Sequence, residues 1–190
     1  MNYFLLDEDI KKSAQYHLDK HIVKMPTESM QLLGTTHRMI DGNVYVTRNK
    51  RGAKMTKYYL NDGREDLICK DGHHKHPCQI WLQESADNYD WMFKFMIELC
   101  KEYTYRYGKI HGVEKKAHLY KDAPKNLPRI GQTPFKIAIQ YQEIKDSFKV
   151  HNNPIKAYRE YYIKYKKHIA RWTKRNVPSW FDTGINYANI

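Results

Sequence analysis

Asp87-Asn88-Tyr89-Asp90-Trp91-Met92-Phe93-Lys94-Phe95-Met96-Ile97-Glu98-Leu99-Cys100-Lys101-Glu102-Tyr103-Thr104-Tyr105-Arg106-Tyr107-Gly108 carries the clearest helical signal in the chain. Tyr89, Met92, Met96, Leu99 and Tyr103 recur at alternating three and four residues, which lays apolar side chains along one face of an α-helix. Gly108 stops it, because glycine takes the left-handed conformation on which helices end.

Upstream, helix resumes after Pro77. Before that, residues 41–77 are less regular and are punctuated by Gly42, Gly52, Gly63 and Gly72. Asn43–Thr47 alternates like a short strand and predicts a hairpin with the residues after it, while the basic stretch Arg48–Lys57 reads as an exposed loop. At the start of the chain, Asp9 is a good N-cap. A helical pattern runs from it to about Met39, and Pro26 is expected to kink or split that helix.

Downstream, Glu114–Tyr120 reads as a short helix, followed by a loop with Pro124, Pro128 and Pro134. Asn153-Pro154, a cap with proline at the first helical position, opens a final long helix running to about Arg175. Together these elements predict a mainly α protein, a single compact helical domain spanning 1–190 with a small β-hairpin near 43–60.

The chain has 190 residues, 41% of them hydrophobic, enough for a globular core. Lys and Arg total 33 against 21 Asp and Glu, a formal charge of +12 that draws the protein toward polyanions. Nucleic acid is the expected partner, with an anionic membrane surface as the competitor. Cys69, Cys78 and Cys100 are odd in number and unpaired in spacing, which points to a reducing compartment. The first residues turn acidic at Asp7, Glu8 and Asp9, unlike a signal peptide, and no apolar run approaches the roughly 20 residues that span a bilayer. A cytoplasmic protein is expected.

The candidate chemistry lies in the first helix. At about 100° per residue, His17, His21, Lys24 and Glu28 share a narrow stripe beside the apolar Ala14, Leu18, Ile22, Met25 and Leu32. A lysine near another cation, Lys20, and partly desolvated can supply a free amine, which attacks a sugar C1′ and forms an imine. Glu28 then serves as the carboxylate, and His17 and His21 as proton carriers. The same residues also read as a hydrogen-bonded seam between helices. A further reading is zinc on His17 and His21, with His73, His74, His76 or Cys78 adding ligands. The metalloprotease motif is absent, however, and no metal or other cofactor is assigned.

The last helix carries Ile155, Tyr158, Tyr162, Tyr165, Ile169 and Trp172 at core spacing, with Lys156, Arg159, Lys164, Lys166, Lys167, Arg171, Lys174 and Arg175 on its other faces. Cations in that density neutralise phosphates, and aromatics beside them stack bases. Lys20, Arg106, Lys109, Arg159, Lys166, Arg171 and Trp172 are the expected nucleic-acid contacts, with double-stranded DNA, damaged or modified, as the partner.

Several stretches resemble a family of small phage-type proteins: Asp19-Lys20-His21-Ile22-Val23-Lys24-Met25, His76-Pro77-Cys78-Gln79-Ile80-Trp81, Glu102–Lys109 and Ala157–Tyr162. Ala14-Gln15-Tyr16-His17-Leu18, followed by Met25-Pro26, is similar to the first helix of the phage pyrimidine-dimer DNA glycosylases of the endonuclease V type. That resemblance implies a small basic helical enzyme joining glycosylase and abasic-site lyase activity, through an amine nucleophile and a carboxylate, on an extruded nucleotide. The family's glutamate falls on Lys24, which leaves Glu28 as the carboxylate, and its terminal amine corresponds to Met1 with Lys24 as the substitute. Base excision is thus the leading expectation. The alternatives are a non-catalytic nucleic-acid-binding or host-inhibiting phage protein and a metal-dependent nuclease or nucleotide-modifying enzyme.

Overall fold

The computed structural model describes residues 2–182. The elements run α1 Ile10–Tyr16, α2 Asp19–Asp41, β1 Asn43–Arg48, β2 Lys54–Tyr59, α3 Pro77–Leu82, α4 Ala86–Tyr107, a 3-10 segment Glu114–Tyr120, α5 Gln142–His151, α6 Pro154–Tyr165, a 3-10 turn Lys167–Ile169 and α7 Ser179–Asp182. The fold is mainly helical with one two-stranded antiparallel hairpin, as the sequence predicts. No helix among the described residues is long and apolar enough to cross a membrane.

Local chemistry sets most boundaries. Asp9 accepts the Lys12 N–H at 2.7 Å, Ser85 accepts that of Asp87 at 3.1 Å, and Asn153 accepts that of Lys156 at 3.0 Å. Each satisfies a donor that the first helical turn leaves open. Gly108 closes α4 at φ 65°, in the left-handed region. In the hairpin, Asn43 pairs with Tyr59 and Arg48 with Lys54.

Helices α1 and α2 both pack on α4, and α3 fills the space beside α2. The buried cluster also takes in the non-helical segment Tyr3–Leu6, Trp81, Tyr120, Tyr158 and Trp172.

Four boundaries differ from the sequence reading. The first helix breaks at His17 and Leu18, both extended, rather than at Pro26. Pro26 removes one hydrogen bond from α2 without ending it. The break has a tertiary cause. Asp19 N–H donates to Arg171 O at 2.8 Å, while its carboxylate takes Thr173 N–H at 2.9 Å and Arg106 Nη1 at 2.9 Å. The same network shortens the last helix, which stops at Tyr165 so that Arg171 and Thr173 can reach the start of α2. Lys54–Lys57, read as loop, lies in β2. Gln142–His151, read as part of an irregular stretch, is α5, ended by Asn152 at φ 48°.

Arg38 ties the hairpin to the helices. Its side chain is fully buried; Nε donates to Cys69 O at 2.7 Å, Nη2 to Glu65 O at 2.6 Å and Ile68 O at 3.1 Å, and Nη1 reaches Tyr58 O and the Glu65 carboxylate. A guanidinium supplies five N–H donors in a fixed fork, and here they join carbonyls of the irregular segment 65–69 to Tyr58 O of β2.

Candidate functional site

The site begins where the chain enters the core. Tyr3, Phe4, Leu5 and Leu6 are buried, with Tyr3 edge-on to Trp81, Trp91, Phe135 and Tyr158. Asn2 anchors this segment. Its Oδ1 accepts the N–H groups of Tyr3 at 2.8 Å and Phe4 at 3.2 Å, and its Nδ2 donates to Ala138 O at 2.8 Å. The hook leaves Phe4 at φ 36°, a strained value for a residue with a side chain. The Asn2 backbone N–H then donates to Glu28 Oε2 at 2.9 Å.

Glu28 sits on α2 one turn after Lys24, and Lys24 Nζ lies 2.8 Å from its other oxygen, Oε1. The Lys24 side chain is 67% exposed and that of Glu28 only 10%. A sunken carboxylate thus faces the protein interior on one side and an amine at the surface on the other. The partial desolvation expected of Lys24 is absent, while that of Glu28 is present.

His76 stands close by, capping α3 through its Nδ1, which accepts the Cys78 N–H at 3.3 Å. Burial lowers its imidazole below the usual range, and the nearby Glu28 charge opposes that shift. On the side of His76 a cleft of about 440 Å³ opens, walled also by Pro77, Ala138, Lys145 and Tyr161, with Lys24 and Glu28 outside its lining. Lys166 lies 5.1 Å from the centroid of the Tyr161 ring.

The two first-helix histidines occupy a different environment from the one expected. His17 is fully buried at the helix break, where Nδ1 donates to Ser13 O at 2.7 Å and Nε2 has no partner among the described residues. Burial pushes its imidazole down to about 3. His21 bonds Tyr162 Oη through Nδ1 at 2.6 Å and stacks on Phe4 with ring centroids 4.6 Å apart. Burial, and then the charges of His17, Lys166 and Lys24, push it down to about 2. Both rings are buried, and what the structure shows of them is packing and hydrogen bonding, not exposure to a substrate. The helix break also removes the single helical face on which a zinc pair was drawn. Among the described residues no group of three His, Cys, Asp or Glu converges as metal ligands. Cys78 is buried, which raises its thiol to about 12.

Of the expected nucleic-acid contacts, Lys20, Lys109 and Arg171 are exposed and Lys166 is half-buried. Arg106 and Trp172 are not surface groups, and their assignment is corrected. Arg106 is buried, ion-paired with Glu102 at 2.7 Å and Asp19 at 2.9 Å, and it donates to Gln15 O. Arg175 completes this pairing on Glu102 at 2.8 Å. Trp172 is buried with Nε1 donating to Tyr16 O at 2.8 Å. Arg159 is half-buried, holds Leu6 O at 2.8 Å and Asp7 at 3.1 Å, and lies over the Trp180 ring.

Sequence reasoning missed Asn2, His76 as a neighbour of Glu28, Lys145 and Tyr161. His76-Pro77 carried a readable signal, a cap before a proline-led helix. Asn2 carried none, because its partners come from Glu28 and Ala138. Comparison of the chain with family models, curated proteins and solved structures gives no match.

Proposed function

We propose that the protein is a DNA base-excision enzyme, a glycosylase with abasic-site lyase activity, with Lys24 as the amine and Glu28 as the carboxylate. The observation that carries this reading is the Lys24–Glu28 pair, an amine at the surface 2.8 Å from a carboxylate sunk below it. The +12 charge and the likeness of the first helix to the endonuclease V type glycosylases add to it.

In this mechanism a bound nucleotide covers Lys24 and excludes water from it, and the Lys24 ammonium gives up a proton before the amine attacks. The amine lone pair attacks C1′ and the glycosidic C1′–N electrons leave with the base, which takes up a proton. The sugar ring then opens as O4′ accepts a proton, and the nitrogen loses one to give the imine. Glu28 holds the ammonium before attack and stabilises positive charge as the C1′–N bond breaks. For lyase activity it accepts the C2′ proton, and the 3′ phosphate departs with the C3′–O electrons.

Borohydride reduces such an imine to a stable amine. Incubating the protein with abasic-site DNA and borohydride is expected to give a covalent complex, lost in Lys24→Ala and reduced in Glu28→Gln. Wild-type protein that traps nothing and releases no base from damaged DNA overturns the reading. A complex that survives Lys24→Ala but maps to the chain's own α-amine moves the nucleophile away from Lys24.

The rival reading is a non-catalytic nucleic-acid binder. It is favoured by the exposure of Lys24, which also suits an ordinary surface ion pair one helical turn long. It predicts salt-sensitive binding unchanged by Lys24→Ala and Glu28→Gln.

A further inference from the structure

We infer that the hairpin β1–β2 is a DNA-reading ribbon that enters the major groove of a duplex. The inference rests on the nucleic-acid part of the proposed function and is independent of the Lys24–Glu28 chemistry.

The first observation is charge. From Asn43 to Leu60 the chain carries Arg48, Lys50, Arg51, Lys54 and Lys57 and no Asp or Glu. Lys57 is held by Asp71, with Nζ 2.9 Å from its carbonyl oxygen. Arg48, Lys50, Arg51 and Lys54 make no ion pair among the described residues. Four cations are thus gathered at the free end of the ribbon without internal neutralisation, and Arg48 spends one N–H on Gly52 O at 2.7 Å.

The second observation is the face the ribbon leaves open. The register pairs Val44 with Tyr58, Val46 with Thr56 and Arg48 with Lys54. Side chains alternate along a strand, so these six share one face. Val44 is 61% and Val46 67% exposed, unusual for β-branched residues in a protein with an ample core. The opposite face is occupied in part. Met55 and Lys57, with Thr56 at the edge, line a groove of about 600 Å³ whose other wall is the loop Gly72–His76. Tyr58 meets His74 edge-on at 5.1 Å, so on the first face it is Val44, Val46 and the Arg48–Lys54 end that stay uncovered. The loop ends at His76, which also walls the cleft of about 440 Å³.

Size and chemistry select the partner. Six residues per strand span roughly 20 Å at about 3.4 Å per residue. A two-stranded ribbon fits a B-form major groove about 12 Å wide, where apolar side chains meet thymine methyl groups and arginine or lysine meets guanine N7 and O6. An A-form RNA duplex has a deep, narrow major groove that side chains cannot read. The exposed valines beside this cationic end therefore point to duplex DNA. Arg38, bonded to Tyr58 O, and Lys57, bonded to Asp71, fix the base of the ribbon to the body.

The test measures binding of full-length protein to a fluorescein-labelled DNA duplex and to an RNA duplex of the same sequence, across a salt series. Arg48→Ala/Lys50→Ala/Arg51→Ala/Lys54→Ala, at exposed positions, is expected to keep the wild-type melting temperature. Its DNA affinity should fall tenfold or more, and the slope of log K against log salt should flatten by about 0.9 for each phosphate no longer neutralised. Val44→Ser/Val46→Ser should weaken DNA binding without changing that slope. Dimethyl sulfate, which methylates guanine N7 in the major groove and adenine N3 in the minor groove, should show N7 protected by wild type and not by the quadruple variant. DNA binding that is unchanged in both variants, or protection confined to N3, overturns the ribbon and leaves the proposed enzyme standing. Equal affinity for RNA duplex overturns the major-groove assignment. Wild type that binds no nucleic acid overturns both the ribbon and the nucleic-acid reading.

Discussion

Asn2 and Glu28 are joined directly: the backbone N–H of Asn2 donates to Glu28 Oε2 at 2.9 Å across 26 residues of sequence. The Asn2 side chain holds that geometry from the other direction, through Tyr3, Phe4 and Ala138. Asn2→Ala keeps the backbone donor and strips the side-chain bonds, leaving buried N–H groups unpaired at about 1–3 kcal/mol. Thermal unfolding should show a lowered midpoint, and imine trapping should fall with it. A variant as stable as wild type would remove Asn2 from this role.

The buried histidines make stability depend on pH. His17 and His21 have imidazoles lowered to about 3 and about 2, against an unfolded value near 6.5. Below about pH 6.5 the unfolded chain binds protons that the native protein does not, so stability falls as pH falls and recovers as pH rises. The loss grows down to the folded values. Urea unfolding at several pH values from about 5 to 6.5, above the carboxylate range, should show this slope. His21→Gln is expected to reduce it by up to about 1.4 kcal/mol per pH unit, one proton's share. An unaltered slope would mean that His21 protonates in the native protein.

Arg106 should behave as a structural cation. Removing one partner from a buried ion pair costs about 3–5 kcal/mol, because the remaining charges lose their compensation. Arg106→Met takes the buried cation from between Asp19 and Glu102, leaving Glu102 with Arg175 and Asp19 with Thr173 and Arg171, and should lower the melting temperature. Arg106→Lys keeps the charge and loses the fork to Asp19, Glu102 and Gln15 O. It should be less stable than wild type, with an unchanged salt slope for DNA binding. A flattened slope would place Arg106 on phosphate.

Two glycines separate space from conformation. A Cβ on Gly42 would lie 2.3 Å from Arg38 O and 2.7 Å from Tyr59 O, whereas one on Gly72 meets nothing within 4 Å. Gly42→Ala must push the hairpin away from α2, an overpacking cost of about 1–3 kcal/mol. Gly72→Ala should stay within about 0.5 kcal/mol of wild type. Paired melting curves decide it, and equal shifts would show that the junction yields.

What could be read from the sequence was what depends on near neighbours. Asp9, Gly108 and Asn153-Pro154 act within one helical turn, and the alternation from Asn43 gave away its strand. Asn152 offered a similar cue for the end of α5, since asparagine tolerates the left-handed conformation that closes it. The break at His17 was hidden because its cause is the bonding of Asp19 to Arg106, Arg171 and Thr173, which only folding brings together. The pairing of Lys24 with Glu28 was legible from helical spacing. Their unequal exposure was not, because it depends on where the chain's opening segment, α3 and the loop before α5 pack.

Helix α2 carries Lys24 in its second turn and Arg38 near its end, and Arg38 grips the base of the hairpin. Fourteen residues at about 1.5 Å each separate the two positions by roughly 21 Å. Along B-form DNA that distance is about six base-pair steps of 3.4 Å. If the ribbon reads DNA and Lys24 reacts with it, as proposed, the continuous helix between them works as a ruler, and a sequence preference set by the ribbon would appear at a constant offset from the nucleotide attacked.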